Sequence, residues 1–462
     1  MADASLLSCV CVCALAGSGV GFLAGLVPGL HMNNVAAILS AYAAACIGIF
    51  GGLAKTIGTS SVGVAVSSFL SAAMVAHILA ESVTSAYVGI PSGDVVSVLP
   101  AHRLARSGLG RSAVRASVDG ALAGVIAATI ILVPVCLLMG RPMRFYDILK
   151  QAMGVIVIFF SSVLIASEGA RQSSPGRSRS RLVRMLRGAL IFVASGVLGL
   201  IVLKTEFYSR SLTDLPWMGA VIPRDSLLLP MFAGLFGIPS LLLSMGSVQV
   251  FDIRVSRHCV YLHRPGAKDV VLSLFGGGVV GWMPGMTSGA AATLCVPTIQ
   301  ETARKEDIPS SLRFIWLYSS ISASGAVFSL GALFTIMKAR SGTMDAIETF
   351  LTSENIGWPA NLQLMLSLAM AMLMSALIAH SLLRMMDSRM RHVRNIMSSK
   401  TVAIAAFIFI LALSVGLTGM RGAMILTTSV MLGLLPPLAG VRRIQLMGCL
   451  LVPIGMTLVA MM

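Results

Sequence analysis

Gly25-Leu-Val-Pro-Gly-Leu-His-Met-Asn-Asn34 and Gly281-Trp-Met-Pro-Gly-Met-Thr-Ser-Gly-Ala290 interrupt two otherwise apolar runs in the same way. Aligned on Pro-Gly, the two stretches share Gly21/Gly277, Gly25/Gly281, Pro28/Pro284, Gly29/Gly285 and Ala36/Ala292. The hydrocarbon core of a bilayer offers no partner to a free backbone group, so a Pro-Gly break there demands a reason. Corresponding breaks in two halves of a chain point to a transporter's binding site.

The sequence around them reads as an all-α polytopic membrane protein. Hydrophobic residues make up 56% of the chain and charged residues 11%, too few charges for a water-exposed surface of this size. Apolar runs recur as far as Ile444–Met462, and most reach the ~20 residues a spanning helix needs. They predict roughly 10 to 13 membrane segments. Ala4–Ala54 is too long for one span and too short for three, and its only acidic or basic side chain is His31.

The net charge of +16 does not indicate nucleic acid, because the excess sits in loops between spans, where Lys and Arg set orientation. Seven of the eight cysteines fall in apolar segments without metal-ligand spacing. The start Met-Ala-Asp-Ala-Ser lacks a basic stretch, so no cleaved signal peptide is expected.

Loop charge orders the spans. Arg171–Arg187 holds six Arg and no acid and is expected in the cytoplasm. The loops Asp252–Asp269 and Glu301–Arg313 both read as cytoplasmic, so Val270–Gln300 between them must enter and return as a hairpin turning at Pro284-Gly285. Ala4–Ala54 reads as a hairpin opening from the outside. The two hairpins would then enter from opposite faces, which is an inverted-topology repeat. The expected division is a first membrane repeat over residues 1–250, carrying the basic loop 171–187, and a second over 251–462.

Pro28 disfavours helix at Val27 and lacks an N–H, so one helix should end there and another start near Gly29–Leu30. The unpaired N–H groups of a new first turn form an anion site, to which His31, Asn33 and Asn34 can add donors. In the second copy Pro284 and Gly285 repeat the break, and Thr287 and Ser288 supply hydroxyls. The plainer reading of Thr287 and Ser288 is N-capping, which uses the same groups. Neither element holds a carboxylate, which favours an anionic or hydroxyl-rich ligand over a cation.

A turn at Pro91-Ser92-Gly93-Asp94 suggests a further interrupted helix. Pro91 and Ser92 join the candidate substrate-binding residues. Asp94 is either a cap or, with His77 and Glu81 one helical turn apart, an ion-coupling candidate. Glu168 and Asp119 are the other acids near membrane runs. Ser319, Ser320, Ser322 and Ser324 either mediate helix packing or contact substrate; Ser322 and Ser324 cannot share a helical face. Gly234-Leu-Phe-Gly-Ile-Pro239 and Gly416-Leu-Thr-Gly-Met-Arg421 look like a weaker matched pair of breaks.

No Gly-x-x-x-x-Gly-Lys-Ser/Thr loop, His-Glu-x-x-His or Gly-x-Ser-x-Gly is present, so an enzyme is not expected. No resident metal or cofactor is expected; a coupling ion would be Na+ or H+.

The Gly-x-x-Pro-Gly element, its second copy and the Ile-Pro-Ser-Gly-Asp stretch resemble the large membrane subunit of tripartite tricarboxylate transporters (TctA). Ser92–Ala113 and Leu333–Ala346 resemble the archaeal-type branch of that family. The resemblance implies two inverted repeats with the substrate at the facing hairpins, on Pro28, Gly29, His31, Asn33, Asn34, Pro284, Gly285, Thr287 and Ser288. It also implies a small membrane subunit and an extracytoplasmic binding protein as partners, in addition to the lipid bilayer. The expected function is ion-gradient-coupled import of a small organic anion, di- or tricarboxylate-like, across the cell (plasma) membrane. A polyprenyl-phosphate lipid-carrier translocase is the alternative, and a non-transporting membrane scaffold the third reading.

Overall fold

The computed structural model describes residues 2–27, 30–41, 46–52, 62–87, 98–169, 181–204, 227–246, 265–295, 307–351, 356–386, 389 and 400–460. Among the described residues the regular structure is helical throughout, without strands, as the apolar runs predict. Eight helices there are long and apolar enough to cross a bilayer. Shorter apolar helices at Ile404–Gly416 and Arg443–Val459 add to them.

In chain order the helices are α1 (Ala2–Leu26), α2 (Met32–Ala41), α3 (Val62–Tyr87), α4 (Val98–Arg106), α5 (Gly110–Met139), α6 (Phe145–Gly169) and α7 (Arg181–Lys204). They continue with α8 (Leu228–Phe232), a π-helical turn (Ala233–Gly237), α9 (Ile238–Gly246), α10 (Ala267–Trp282), α11 (Ser288–Cys295), α12 (Ile308–Ile336) and α13 (Gly342–Phe350). The last are α14 (Leu362–Met386), α15 (Lys400–Ala439), a 3-10 turn (Arg443–Met447) and α16 (Gly448–Ala460).

The chain forms two compact units, and each draws on both halves of the sequence. One is Met1–Arg144 with Ser244–Ala406; the other is Phe145–Leu243 with Phe407–Met462.

In the first unit, α1 lies along α3 and α10 lies along α12. Both contacts are made through the glycines the two stretches share. A Cβ on Gly21 would run into the Ala73 carbonyl, and one on Gly25 would sit 2.7 Å from the His77 carbonyl. A Cβ on Gly277 would collide with the Ser324 hydroxyl, and one on Gly281 would lie 2.5 Å from Phe328 Cβ. Small residues at helix interfaces let backbones approach closely where no hydrophobic effect drives association.

Each of these pairs takes a third helix from the other half. Helix α14 packs on α3, where Ser375 Oγ donates to Ala72 O at 2.6 Å. Helix α5 packs on α12, with Gly120 against the Trp316 carbonyl. Two N-caps fix helix starts in the second half. Asp307 accepts from Ser310 N at 2.9 Å at the head of α12, and Ser341 accepts from Met344 N at 3.2 Å at the head of α13.

In the second unit, α7 packs on α16 with Gly448 against the Phe192 carbonyl. The weaker pair of breaks lies here, and both are real backbone irregularities. Gly234 and Gly237 fall in the π-helical turn, and Gly419, with φ 62°, kinks α15 in mid-run.

Candidate functional site

The first hairpin closes between α1 and α2. Pro28 and Gly29 lie outside the described residues. Leu30 N donates to Val27 O at 3.3 Å, and helix resumes at Met32 rather than near Gly29–Leu30. The later start has a chemical cause: His31 is the N-cap. Its Nδ1 accepts from Asn33 N at 3.1 Å, satisfying one of the first-turn donors. An accepting Nδ1 places the ring proton of neutral His31 on Nε2.

Asn33 is used elsewhere. Its Oδ1 accepts from both Thr343 N at 3.2 Å and Thr343 Oγ1 at 3.1 Å, in the first turn of α13. The hairpin of the first half is thereby tied to a helix of the second. Asn34 lies in the first turn of α2.

One face of α3 receives this hairpin. The His31 and His77 rings meet edge to face with centroids 5.7 Å apart. His77 is buried, and neither of its ring nitrogens has a hydrogen-bond partner among the described residues. Glu81 Oε2 lies 3.9 Å from His77 Nε2, a charge contact rather than a hydrogen bond. Thr84 Oγ1 donates to Glu81 O at 2.9 Å and to Gly25 O, at the end of α1, at 3.4 Å. The helical spacing of His77 and Glu81 therefore places both on the hairpin side of α3.

The second hairpin closes at Met283–Thr287. Met283 is extended, Pro284 and Gly285 turn, and Gly285 has φ 72°, a conformation open to glycine at no steric cost. Thr287 caps α11, its Oγ1 accepting from Ala290 N at 3.3 Å. Ser288 is the first residue of α11 and half-buried. Ala291 and Ala292 of α11 pack into the core formed by Phe314, Trp316, Leu317 and Ile321 of α12. His31 and Thr287 each stand three residues after the Pro of their stretch, so the two copies cap at the same position with different chemistry.

Between α3, α4, α5 and α12 the unit holds a cavity of about 40 Å³. Glu81, Ser82 and Ser85 line it from α3, Ser117 from α5, and Tyr318, Ser319 and Ser322 from α12. Ser117 Oγ and Ser319 Oγ are hydrogen-bonded across it at 2.7 Å. The serine run of α12 divides by face. Ser319 and Ser322 face the cavity, while Ser324 Oγ donates to Ser320 O at 2.6 Å, with Ser320 and Ser324 set against Gly124 and Gly277. Glu81 belongs both to the cavity wall and to the hairpin contact.

Helix α4 covers this region, with Arg103 Nη2 donating to Ser311 Oγ of α12 at 2.8 Å. Burial holds the His102 imidazole below its usual pKa; a hydrogen bond at 3.1 Å to Ala86 O opposes the shift, and Arg106 reinforces it. Pro91, Ser92 and Asp94 lie outside the described residues.

The other acids are engaged in salt bridges. Asp119 Oδ1 of α5 lies 3.0 Å from His380 Nε2 and 3.5 Å from Arg384 Nη2 of α14. In the second unit Glu168 is fully buried against Arg442 at 2.7 Å. Sequence reasoning missed Ser82, Ser85, Ser117 and Tyr318. The signal for Ser85 was available: it stands four residues after Glu81, on one face of an apolar helix.

A protein of Methanocaldococcus jannaschii described as uncharacterised is 24% identical over 348 residues, 73% of this chain and 72% of that protein. No solved structure matches the chain. The family model "Tripartite tricarboxylate transporter TctA family" matches residues 11–448, nearly the whole chain. The chain belongs to the tripartite tricarboxylate transporter TctA family, a transporter family: it is a multi-pass membrane protein and a transporter component.

Proposed function

We propose that the chain is a secondary transporter that imports a small di- or tricarboxylate-like anion across the plasma membrane, driven by an ion gradient. Alternating access takes place at the two Pro-Gly hairpins. The observation that carries this reading is their equivalence: each stretch follows a glycine-docked helix, carries Pro-Gly in its sequence, and leads into a second helix whose cap is His31 or Thr287. First-turn N–H groups next to His31 and Asn34, and next to Thr287 and Ser288, are the proposed anion donors, with Pro28, Gly29, Pro284 and Gly285 shaping the turns. Pro91 and Ser92 are proposed to complete the path.

Packing supports an inverted repeat. Helices α1, α3 and α14 form one trio and α10, α12 and α5 the other, each half lending one helix to its counterpart. A division at residues 1–250 and 251–462 then gives both halves a share of both units, as a two-fold relation requires. His77, Glu81 and Asp94 are the proposed ion-coupling residues. The family's tripartite organisation supports a small membrane subunit and an extracytoplasmic binding protein as partners.

The test is uptake of labelled citrate and other carboxylates by vesicles carrying the chain, with and without its partner subunits, under Na+ or H+ gradients. Gradient-dependent uptake that is lost in Gly29→Leu and Gly285→Leu supports the proposal. Absence of any carboxylate uptake alongside binding of polyprenyl phosphate would replace it with the lipid-carrier reading.

A further inference from the structure

His77 carries a cost that packing alone does not explain. Its side chain is 2% exposed, and neither ring nitrogen makes a hydrogen bond. Burying a polar group without a partner costs stability, so an apolar side chain of similar size would suit this position better. The position itself is tightly built. A Cβ on Gly25 of α1 would sit 2.7 Å from the His77 carbonyl, and the His31 ring lies edge to face on the His77 ring. A buried imidazole left unsatisfied in such a place calls for a reason, and a ligand is one.

Two titratable groups face the ring, His31 from the first hairpin and Glu81 from the next turn of α3. Glu81 Oε2 stands 3.9 Å from Nε2, too far to take up its hydrogen bond. His31 uses Nδ1 as the cap of α2, which leaves its proton on Nε2. The start of α2 thus gathers the His31 Nε2–H, the His77 ring and the N–H groups of the first helical turn. Those are donors for an anion, and a carboxylate oxygen accepts from more than one of them.

We propose that His77 is a ligand of the transported anion, donating a ring N–H to the same carboxylate that the His31 Nε2–H holds at the start of α2. This rests on the transport reading and gives His77 a second role there, beside the one proposed with Glu81. His77 stands within the long helix α3 and His31 on the hairpin, so a carboxylate between them joins the two elements. The hairpin covers the imidazole in this structure and is held by Asn33 Oδ1, which accepts from Thr343 N and Oγ1. Entry of the anion therefore requires the hairpin to move.

The experiment is titration of the purified full-length chain in lipid nanodiscs with citrate, with thermal unfolding measured on the same samples. The native chain is expected to bind citrate saturably. His77→Leu removes an unpaired polar group, so it should unfold no earlier than the native protein, yet bind citrate roughly tenfold to a hundredfold more weakly. His77→Gln keeps an N–H donor and should fall between the two. Gly19→Ala, which adds a methyl where nothing lies within 4 Å, should bind as the native protein does. Native affinity in His77→Leu overturns the ligand role and leaves the transport reading standing. Affinity lost only in step with stability also overturns it and assigns His77 to packing. Should His77→Leu fail to fold, His77→Phe, which keeps a ring against His31, decides by the same comparison. A native chain that binds no carboxylate overturns this inference and the transport reading together.

Discussion

Glu81 in α3 and Glu168 in α6 are both acids inside apolar helices, yet their surroundings are opposite. Glu168 is sealed. Its Oε1 accepts from Arg442 Nε at 2.7 Å, Arg442 N at 3.3 Å and Gln445 Nε2 at 3.3 Å. Arg442 also bonds Ser167 Oγ, and Gln445 Nε2 donates to Leu164 O at 2.8 Å, so the pair is built into the joint between α6 and the 3-10 turn. Glu81 is 23% exposed, lines a hydroxyl-bearing cavity and lies 3.9 Å from His77 Nε2. A charge already neutralised by a fixed neighbour holds helices together. A carboxylate on the wall of a polar cavity is not sealed in this way.

The sharpest way to break this contrast is Glu168→Gln. The substitution leaves the Arg442 guanidinium, 13% exposed, without its counter-charge. Loss of one partner of a buried pair costs about 3–5 kcal/mol. Thermal unfolding of the purified protein should show a stability loss of that order, much of it recovered in the double variant Glu168→Gln/Arg442→Leu. A single variant as stable as the native protein would mean the pair is not sealed, and the contrast with Glu81 would collapse.

Asp269 occupies a middle position. Its Oδ1 accepts from Arg313 Nε at 3.0 Å and Nη2 at 2.7 Å, and its Oδ2 accepts from Gly266 N at 3.3 Å, clamping the start of α10 to α12. Arg313 is 39% exposed and regains water when the acid is removed. Asp269→Ala is therefore expected to cost about 1–3 kcal/mol, towards the lower figure. A loss matching that of Glu168→Gln, measured in the same unfolding assay, would show that exposure of the partner does not set the scale.

Glu81→Gln should fall lower still in stability, under about 1 kcal/mol, because the side chain is 23% exposed and the amide keeps its size and its access to water. Its effect belongs to ion dependence. A large stability loss with unaltered ion dependence would move Glu81 into the structural class with Glu168.

The apolar runs, the Pro-Gly breaks and the paired glycines were legible from sequence because each is a local rule. Pro denies an N–H, Gly permits close approach, and a run of ~20 apolar residues is a span. The restart of α2 at Met32 was not legible. It depends on an imidazole acting as cap, and histidine carries no strong capping preference. The cavity was not legible because Ser117 and Ser319, which bond across it, lie in different halves of the chain. Only the lending of α5 to α12 brings them together. The discontinuous units have the same origin, since their boundaries follow packing and no shift in composition marks them.

Asp307 closes the series at the exposed end. It caps α12 in water, and hydrogen bonds from Ser310 hold its carboxyl below the usual carboxylate range, burial opposing only slightly. A depressed folded-state pKa contributes stability that is present above the unfolded value of about 3.9 and is lost as pH falls through the folded value. Asn in the same place still caps but does not titrate. Hydrogen exchange at Ser310 and Ser311, compared between native protein and Asp307→Asn, should therefore show a native advantage at neutral pH that fades below the usual carboxylate range. The effect should be confined to the first turn of α12, because the acid touches nothing beyond that turn in the hydrogen bonds it makes. An advantage that persists at low pH, or a change reaching the middle of α12, would show that an acid in water can hold this bundle as Glu168 does, and exposure would no longer separate the structural carboxylates from Glu81.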